Sequence, residues 1–118
     1  VDDDHRVRSA LGVLLTRAGA SVRTAGSAAE AMDVLHAADA FDVLICDIAM
    51  PGRDGNELMR ELRTSGDRTP AIALTAHVTP TDVQNVRDAG FDMHLAKPVD
   101  IERLIAAIHV VITARSES

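Results

Sequence analysis

The sequence is poor in aromatic residues, which make up 2 % of its 118 positions and include neither tryptophan nor tyrosine. Because Phe41 and Phe91 are the only aromatics of that set, the core must be built mainly from aliphatic side chains. Such a core is feasible, since 47 % of the residues are hydrophobic and 25 % are charged, which are ordinary values for a globular protein. The length predicts one domain, covering residues 1–118.

Cysteine, net positive charge and long apolar runs are scarce or missing as well. Cys46 is the single cysteine, so it cannot form an internal disulfide and offers no cysteine pattern for metal binding. The net charge of −6, without any basic cluster, argues against direct binding of nucleic acid. The apolar runs are far shorter than the roughly 20 residues of a membrane-spanning helix. No membrane contact is predicted, and the cytoplasm is the expected location.

The hydrophobic pattern alternates between short apolar runs and stripes at helical spacing. Runs of strand length are predicted at residues 21–25, 41–46, 70–74 and 93–96. Helices are predicted before Gly19, from 28 to 36, from 58 to 65, from 80 to 89 and from 101 to 112. Short strands separated by helices imply a parallel sheet with helices on both faces, and such sheets bind ligands at the carboxyl ends of their strands.

The start of the sequence is unusual, because Val1 leads directly into Asp2-Asp3-Asp4 and a helix. The alternation demands an opening strand, and all of it except the last residue is missing here. A parallel sheet cannot leave its central strand position empty, since the edges on either side would be unpaired. We therefore expect apolar residues to precede Val1 in the parent protein.

Polar side chains stand where the predicted strands end: Asp2 and Asp3, then Asp47, Thr75 and Lys97. In a parallel sheet these ends meet at one edge. Carboxylates brought together there repel one another and need a cation, and hard oxygen ligands suit Mg²⁺ better than zinc. Lys97 is placed to meet a phosphate and Thr75 to donate a hydrogen bond. Asp47 is then a plausible nucleophile for phosphoryl transfer.

Each of these residues also has a structural explanation when it is taken alone. An acidic triplet is common at the start of a helix, and an aspartate after a strand is often a turn former. Lys97 is most often a surface lysine, although its bond to Pro98 is a candidate for a cis peptide. Cys46, which precedes Asp47, is predicted by strand alternation to point into the core. The predicted chemistry therefore depends on the group and not on one member.

Four blocks of the sequence together resemble the response regulator receiver family of two-component signalling. They are VDDD at residues 1–4, DIAMPGRDG at 47–55, LTA at 74–76 and LAKP at 95–98, in the family's order and spacing. The resemblance covers essentially the whole chain. It implies a flavodoxin-like (βα)5 fold, which is a doubly wound parallel α/β sheet with strand order 2-1-3-4-5, and whose first strand is largely missing here.

The resemblance also implies a Mg²⁺ site, with Mn²⁺ as a substitute. Asp3 matches a direct metal ligand, Asp2 matches a group that acts largely through water, and Asp47 matches both a metal ligand and the phosphoacceptor. The backbone carbonyl of Ala49 completes the ligands from the protein. Asp4 lies just past the acidic pair and is interpreted as a helix cap.

Other positions match residues that respond to phosphorylation in the family. Thr75 and Lys97 match the two groups that hold phosphoryl oxygens. His94 occupies the switch position, where the family usually has tyrosine or phenylalanine. It is interpreted either as a surface histidine or as a titratable switch residue. Ala49 and His77 match positions that border the hydrolytic water, so they are expected to set the lifetime of the acyl phosphate.

The function that the resemblance implies is a signalling switch with slow self-dephosphorylation rather than a turnover enzyme. Asp47 takes a phosphoryl group from a histidine kinase or a phosphotransfer domain, and the surface of the fourth and fifth strands and helices contacts a downstream protein. The preferred setting is the C-terminal receiver of a hybrid histidine kinase. A free-standing single-domain regulator and a binding module that is never phosphorylated are the alternatives.

Overall fold

Three strands of the structure form a parallel sheet. The computed structural model describes residues 1–37 and 40–117, with side chains described as far as residue 114. The strands are β1 (Leu44–Asp47), β2 (Ala71–Thr75) and β3 (Met93–Ala96), in the order β1-β2-β3. They occupy the predicted positions of the third, fourth and fifth strands. Because all three run in the same direction, their carboxyl ends lie at one edge of the sheet.

The five predicted helices are all present. They are α1 (His5–Arg17), α2 (Ala28–Ala37), α3 (Gly55–Thr64), α4 (Pro80–Ala89) and α5 (Ile101–Glu117). Among the described residues, no helix combines the length and the apolar character needed to cross a bilayer.

Side-chain caps begin α1 and α2, and the first of them, Asp4, was predicted as a cap. Oδ1 of Asp4 accepts a hydrogen bond from the backbone N–H of Arg6 at 2.9 Å, which confirms Asp4 as the cap of α1. At α2, the hydroxyl of Ser27 accepts from the N–H of Glu30 at 3.1 Å. The Glu30 carboxylate in turn accepts from the N–H of Gly26 at 3.1 Å. These contacts satisfy backbone donors that the helix itself leaves unpaired.

The central strand β2 is buried on both faces of the sheet, as a doubly wound fold requires. Ala71 and Ala73 of β2 belong to a core cluster with side chains of α2, α3 and α4. Ile72 and Leu74 point the other way, into a second cluster with side chains of α1 and α5. Because successive side chains of a strand point to opposite faces, one short apolar strand supplies both clusters. The core is aliphatic apart from Phe91, as the composition predicted.

Residues 21–25 do not form the predicted strand. A strand needs a neighbour that offers a ladder of hydrogen bonds, and among the described residues this segment has one backbone hydrogen bond on the side of β1. The backbone N–H of Asp2 donates to the carbonyl of Ala25 at 3.1 Å. This contact holds the end of the segment in place but does not build a ladder.

The backbone of Val1 is paired with β1 on either side of Cys46. Its nitrogen donates to the carbonyl of Ile45 at 2.6 Å, and its carbonyl accepts from the N–H of Asp47 at 2.8 Å. Hydrogen bonds from one residue to both neighbours of a facing residue are the pattern of parallel strands. Val1 and Asp2 therefore lie between residues 21–25 and β1, where the order 2-1-3-4-5 places the first strand.

The amino ends of β2 and β3 are tied together by a network that we call the amino-end clamp. Asp92 donates its N–H to the carbonyl of Ala71 at 2.9 Å and accepts the Ala71 N–H on its carboxylate at 2.8 Å. Arg63, on α3, donates two hydrogen bonds to the carbonyl of Gly90, at 2.9 and 3.1 Å. The clamp thereby connects α3, the end of α4 and both strands at the edge opposite the acidic residues.

Candidate functional site

Three carboxylates meet at the carboxyl edge of the sheet. Asp47 ends β1, and one oxygen each from Asp2, Asp3 and Asp47 lie within 4.8 Å of one another. Asp2 and Asp47 are only 4 % and 3 % exposed, whereas Asp3 is open to solvent. Negative charges so close together repel strongly where water is excluded. The arrangement therefore favours a cation.

Asp2 is the most constrained member of this acidic group. Its Oδ1 accepts the backbone N–H of Asp4 at 2.9 Å, but within the described residues its buried Oδ2 has no hydrogen-bond partner. Burial raises the pKa of Asp2, and so do the neighbouring charges of Asp47 and Asp3, while the Asp4 N–H and Lys97 lower it. A buried carboxylate oxygen without a partner costs free energy that a bound cation would recover. The residues present thus fit a hard divalent cation.

Lys97 brings a positive charge to the same group. Its ammonium lies 2.8 Å from Oδ1 of Asp47 and 3.9 Å from Oδ2 of Asp2. The backbone N–H of Lys97 donates to the carbonyl of Thr75 at 2.9 Å, and the peptide bond to Pro98 is cis, as the sequence allowed. The side chain remains 31 % exposed, so it can move toward an incoming anion.

The hydroxyl of Thr75 is hydrogen-bonded to the loop that follows β2. It donates to the carbonyl of His77 and accepts from the N–H of the same residue, both at 3.0 Å. Thr75 is 6 % exposed, whereas His77 lies in solvent. Any other acceptor for the Thr75 hydroxyl must therefore compete with the carbonyl of His77.

Gly55 lets α3 approach the backbone of Asp47 closely. A Cβ atom at this position would lie 2.5 Å from the carbonyl oxygen of Asp47 and 3.0 Å from Cα of Ile48. The N–H of Gly55 donates to the Ile48 carbonyl at 2.9 Å, and Asp54 caps α3 in a capping box with Glu57. The sequence marked this Asp-Gly pair only as part of a motif. Its contacts show that it positions the segment that carries Asp47.

The remaining predicted residues are spread around this edge. Cys46 is fully buried in the core, which confirms the prediction for it, and burial raises the pKa of its thiol to about 12. His94 is half-buried on β3 opposite Ala73. Ala49 is exposed in the loop after β1. The structure thus locates His94 and Ala49, and their roles stay predictions.

Comparison with known proteins identifies relatives along most of the chain. The family model of the response regulator receiver domain matches residues 1–109. Response regulator MprA of Mycobacterium avium (strain 104) is 39 % identical over 112 residues, which is 95 % of this chain and 49 % of that protein. The MprA protein of Mycobacterium tuberculosis (strain ATCC 25618 / H37Rv) has the same identity, over 95 % of this chain and 48 % of its own length. The chain thus spans about half the length of these curated relatives.

Solved structures support the same assignment. The chemotaxis protein CheY4 of Vibrio cholerae superimposes with a TM-score of 0.88 at 31 % identity, over 93 % of this chain and 92 % of that one. The receiver domain of a histidine kinase from Syntrophus aciditrophicus gives 0.86 at 27 % identity, over 97 % and 87 %. The predicted flavodoxin-like (βα)5 fold is therefore confirmed. With a family model over residues 1–109 and relatives well above 30 % identity, this chain belongs to the response regulator receiver domain family.

Proposed function

We propose that Asp47 accepts a phosphoryl group from the phosphohistidine of a histidine kinase or a phosphotransfer domain. One observation carries the proposal: the buried carboxylate of Asp47 lies beside two further acids and 2.8 Å from the Lys97 ammonium. Clustered acids oppose folding, so stability alone does not account for them. A site that must hold both a cation and an anionic phosphoryl group accounts for acids and lysine together.

In the transfer step, a carboxylate oxygen of Asp47 attacks the phosphorus in line with the leaving nitrogen. A P–O bond forms, the P–N bond to the imidazole breaks, and the nitrogen keeps the electron pair. Lys97 already contacts Asp47, so its ammonium is placed to follow the negative charge onto the phosphoryl oxygens. To donate to one of these oxygens, Thr75 gives up its hydrogen bond to the His77 carbonyl.

The residues proposed to hold Mg²⁺ are Asp3 and Asp47 directly, Asp2 largely through water, and Ala49 through its backbone carbonyl. All of these offer hard oxygen atoms, which suit Mg²⁺ and also Mn²⁺. The buried Oδ2 of Asp2, which has no hydrogen-bond partner among the described residues, supports this assignment. When bound, the ion would offset negative charge on the oxygens of the transferring phosphoryl group.

The proposed output is a change in the surface of the fourth and fifth strands and helices, which are β2, β3, α4 and α5 here, and this surface would contact a downstream protein. Thr75 couples the site to this surface, because the loop that its hydroxyl holds leads into α4. His94 lies on the neighbouring strand and is proposed as the switch residue. Ala49 and His77, in the loops after β1 and β2, are proposed to set the lifetime of the phosphorylated state.

The role of His94 can be tested with His94→Tyr. We expect the variant to accept phosphate on Asp47 at the rate of the native protein, because His94 is not among the residues proposed to hold the phosphoryl group. Its affinity for a partner should differ from that of the native protein, and binding assays on both proteins in both phosphorylation states would measure this. An effect confined to the phosphorylation rate would contradict a switch role.

The protein that carries this domain is also a proposal. The MprA relatives, at 39 % identity, are named response regulators and support a place in a response regulator. The receiver of a histidine kinase, at 27 % identity, supports the hybrid-kinase setting that the sequence suggested. Because the first identity is higher, we propose a response regulator first, ahead of a hybrid kinase or a single-domain regulator. A kinase domain encoded upstream of Val1 in the parent gene would reverse this order.

Phosphorylation itself is tested by intact mass after incubation with acetyl phosphate and Mg²⁺. We expect one phosphate adduct on the native chain and none on Asp47→Asn. No adduct should form on the native chain when Mg²⁺ is chelated before acetyl phosphate is added. Asp42→Asn is the matched control, because it removes an exposed acid from the segment that leads into β1. No adduct on the native chain would favour a binding module that is never phosphorylated, and an adduct that survives Asp47→Asn would show that Asp47 is not the phosphoacceptor.

A further inference from the structure

We infer that Arg8 is a positioning residue for the metal-binding acids, an inference that rests on the proposed function. Arg8 lies on α1 and is half-buried. Its Nη1 donates a hydrogen bond to the backbone carbonyl of Asp2 at 2.8 Å. The contact is made to the peptide group that joins Asp2 to Asp3, and not to either carboxylate.

That peptide group fixes how the two acids are oriented relative to each other. A peptide unit is planar, so holding its carbonyl also fixes the position of Cα of Asp3, which lies in the same plane. Asp2 is restrained at two further points: its N–H donates to the carbonyl of Ala25 at 3.1 Å, and its Oδ1 accepts from Asp4 at 2.9 Å. With the backbone and Oδ1 held, Oδ2 is the oxygen of Asp2 left for a ligand.

The guanidinium of Arg8 is itself held in place. It packs against Gly26, where an added Cβ atom would lie 2.9 Å from Nη1 and 3.3 Å from Cζ of Arg8. On its other side, Nη2 is 3.2 Å from Nδ1 of His5. The absence of a side chain at position 26 therefore makes room for the contact between Arg8 and Asp2.

Positioning and simple electrostatics make opposite predictions for the loss of Arg8. Removing a positive charge near three acids should strengthen the binding of a cation, because less repulsion opposes it. Removing a group that orients the ligands should weaken binding, and loss of outer-shell partners typically costs about 10- to 100-fold in metal affinity. The sign of the change therefore separates the two roles.

The experiment is isothermal titration of the full chain with Mg²⁺, on protein shown to be folded by circular dichroism. We expect Arg8→Gln to raise the Kd for Mg²⁺ at least about tenfold, because its shorter side chain no longer reaches the Asp2 carbonyl. Arg8→Lys should restore part of the affinity, because its longer side chain keeps a donor closer to that carbonyl. Arg6→Gln is the control, since it removes the same charge from an exposed position of α1 and should not weaken binding.

A second variant tests the same contact without changing any charge. Gly26→Ala should displace the guanidinium and raise the Kd, and it should have no further effect in the Arg8→Gln background, since the two changes act through one contact. If Arg8→Gln and Gly26→Ala both bind Mg²⁺ as tightly as the native chain, or more tightly, the inference is wrong while the proposed metal site stands. Failure of the native chain to bind Mg²⁺ would overturn the proposed site and the inference together.

Discussion

The ammonium of Lys97 lies at unequal distances from two carboxylates. It lies 2.8 Å from Asp47 and 3.9 Å from Asp2, so the acid that is proposed to react has the closer positive charge. Oδ2 of Asp2 is buried and has no hydrogen-bond partner among the described residues. Burial is therefore less well compensated at Asp2, a proposed metal ligand, than at Asp47, the proposed nucleophile.

Lys97→Met should change the phosphorylation rate and the affinity for Mg²⁺ in opposite directions. We expect phosphorylation of Asp47 by acetyl phosphate to slow by about 100-fold, because one donor to the developing charge is lost. Mg²⁺ should bind more tightly, since a repelling charge leaves the acidic group. Mass spectrometry over time and isothermal titration measure the two quantities. Arg60→Gln, which removes an exposed cation from α3, is the control. Weaker binding of Mg²⁺ by Lys97→Met would show instead that Lys97 keeps the acids in place.

At the scale of the element, the approach of α3 to β1 depends on one missing side chain. Gly55→Ala would force a Cβ atom to within 2.5 Å of the Asp47 carbonyl oxygen. We expect a loss of about 1–3 kcal/mol in the free energy of unfolding, as for other overpacked sites, together with slower phosphorylation because Asp47 is displaced. Urea unfolding followed by circular dichroism measures the first effect.

Gly12→Ala is the matched control for this prediction. Gly12 lies within α1, and the nearest atom to an added Cβ would be Cγ2 of Thr24 at 3.8 Å. Alanine is favoured over glycine inside a helix, so this variant should be as stable as the native protein or more stable. Equal losses at positions 12 and 55 would contradict the close approach of α3 to β1.

Elements whose determinants are local were the ones that the sequence predicted well. The caps at Asp4 and at Ser27 with Glu30 act within a few residues, so their sequence pattern suffices to place the helix starts. Residues 21–25 failed as a strand because a strand depends on a neighbour that local sequence does not contain.

The candidate site also combines residues that the sequence could predict with one that it could not. Asp47, Thr75 and Lys97 could be brought together from sequence because they stand at the carboxyl ends of parallel strands, and these ends must meet. Arg8 could not, because its contact with Asp2 exists only once α1 packs beside Gly26. A helical arginine carries no pattern that distinguishes such a contact from a surface position.

At the scale of the whole molecule, two acids at opposite edges of the sheet have opposite pKa shifts. Burial raises the pKa of Asp2 above its ordinary value of 3.8. Burial alone would also raise the pKa of Asp67, but hydrogen bonds from the hydroxyl and N–H of Thr69, with the charges of Arg63 and His36, lower it overall. Asp2 at the functional edge therefore opposes folding when ionised, whereas Asp67 at the other edge supports it.

This contrast predicts opposite effects of pH on two variants. The contribution of Asp2 to stability is fully present below 3.8 and is lost as pH rises through its raised folded pKa. That of Asp67 is present above 3.8 and is lost as pH falls through its lowered folded pKa. Without metal at neutral pH, Asp2→Asn should raise the urea midpoint and Asp67→Asn should lower it.

Acidification serves as the internal control for these variants. Both differences from the native protein should shrink as pH falls toward and below 3.8, where the acids are neutral in the unfolded chain. A midpoint for Asp2→Asn below that of the native protein at neutral pH would show that its carboxylate stabilises the fold.

The amino-end clamp lies at one end of β2, and the loop that Thr75 holds lies at the other. Asp92 and Ala71 hold β2 and β3 together far from the acids, while the hydroxyl of Thr75 holds the loop at the other end by two exchangeable contacts to His77. We therefore expect a change at Thr75 to move the loop and to leave the amino-end clamp in place. In hydrogen exchange, the Ala71 amide should stay protected in both phosphorylation states, and the His77 amide should lose protection once Thr75 turns to the phosphoryl group.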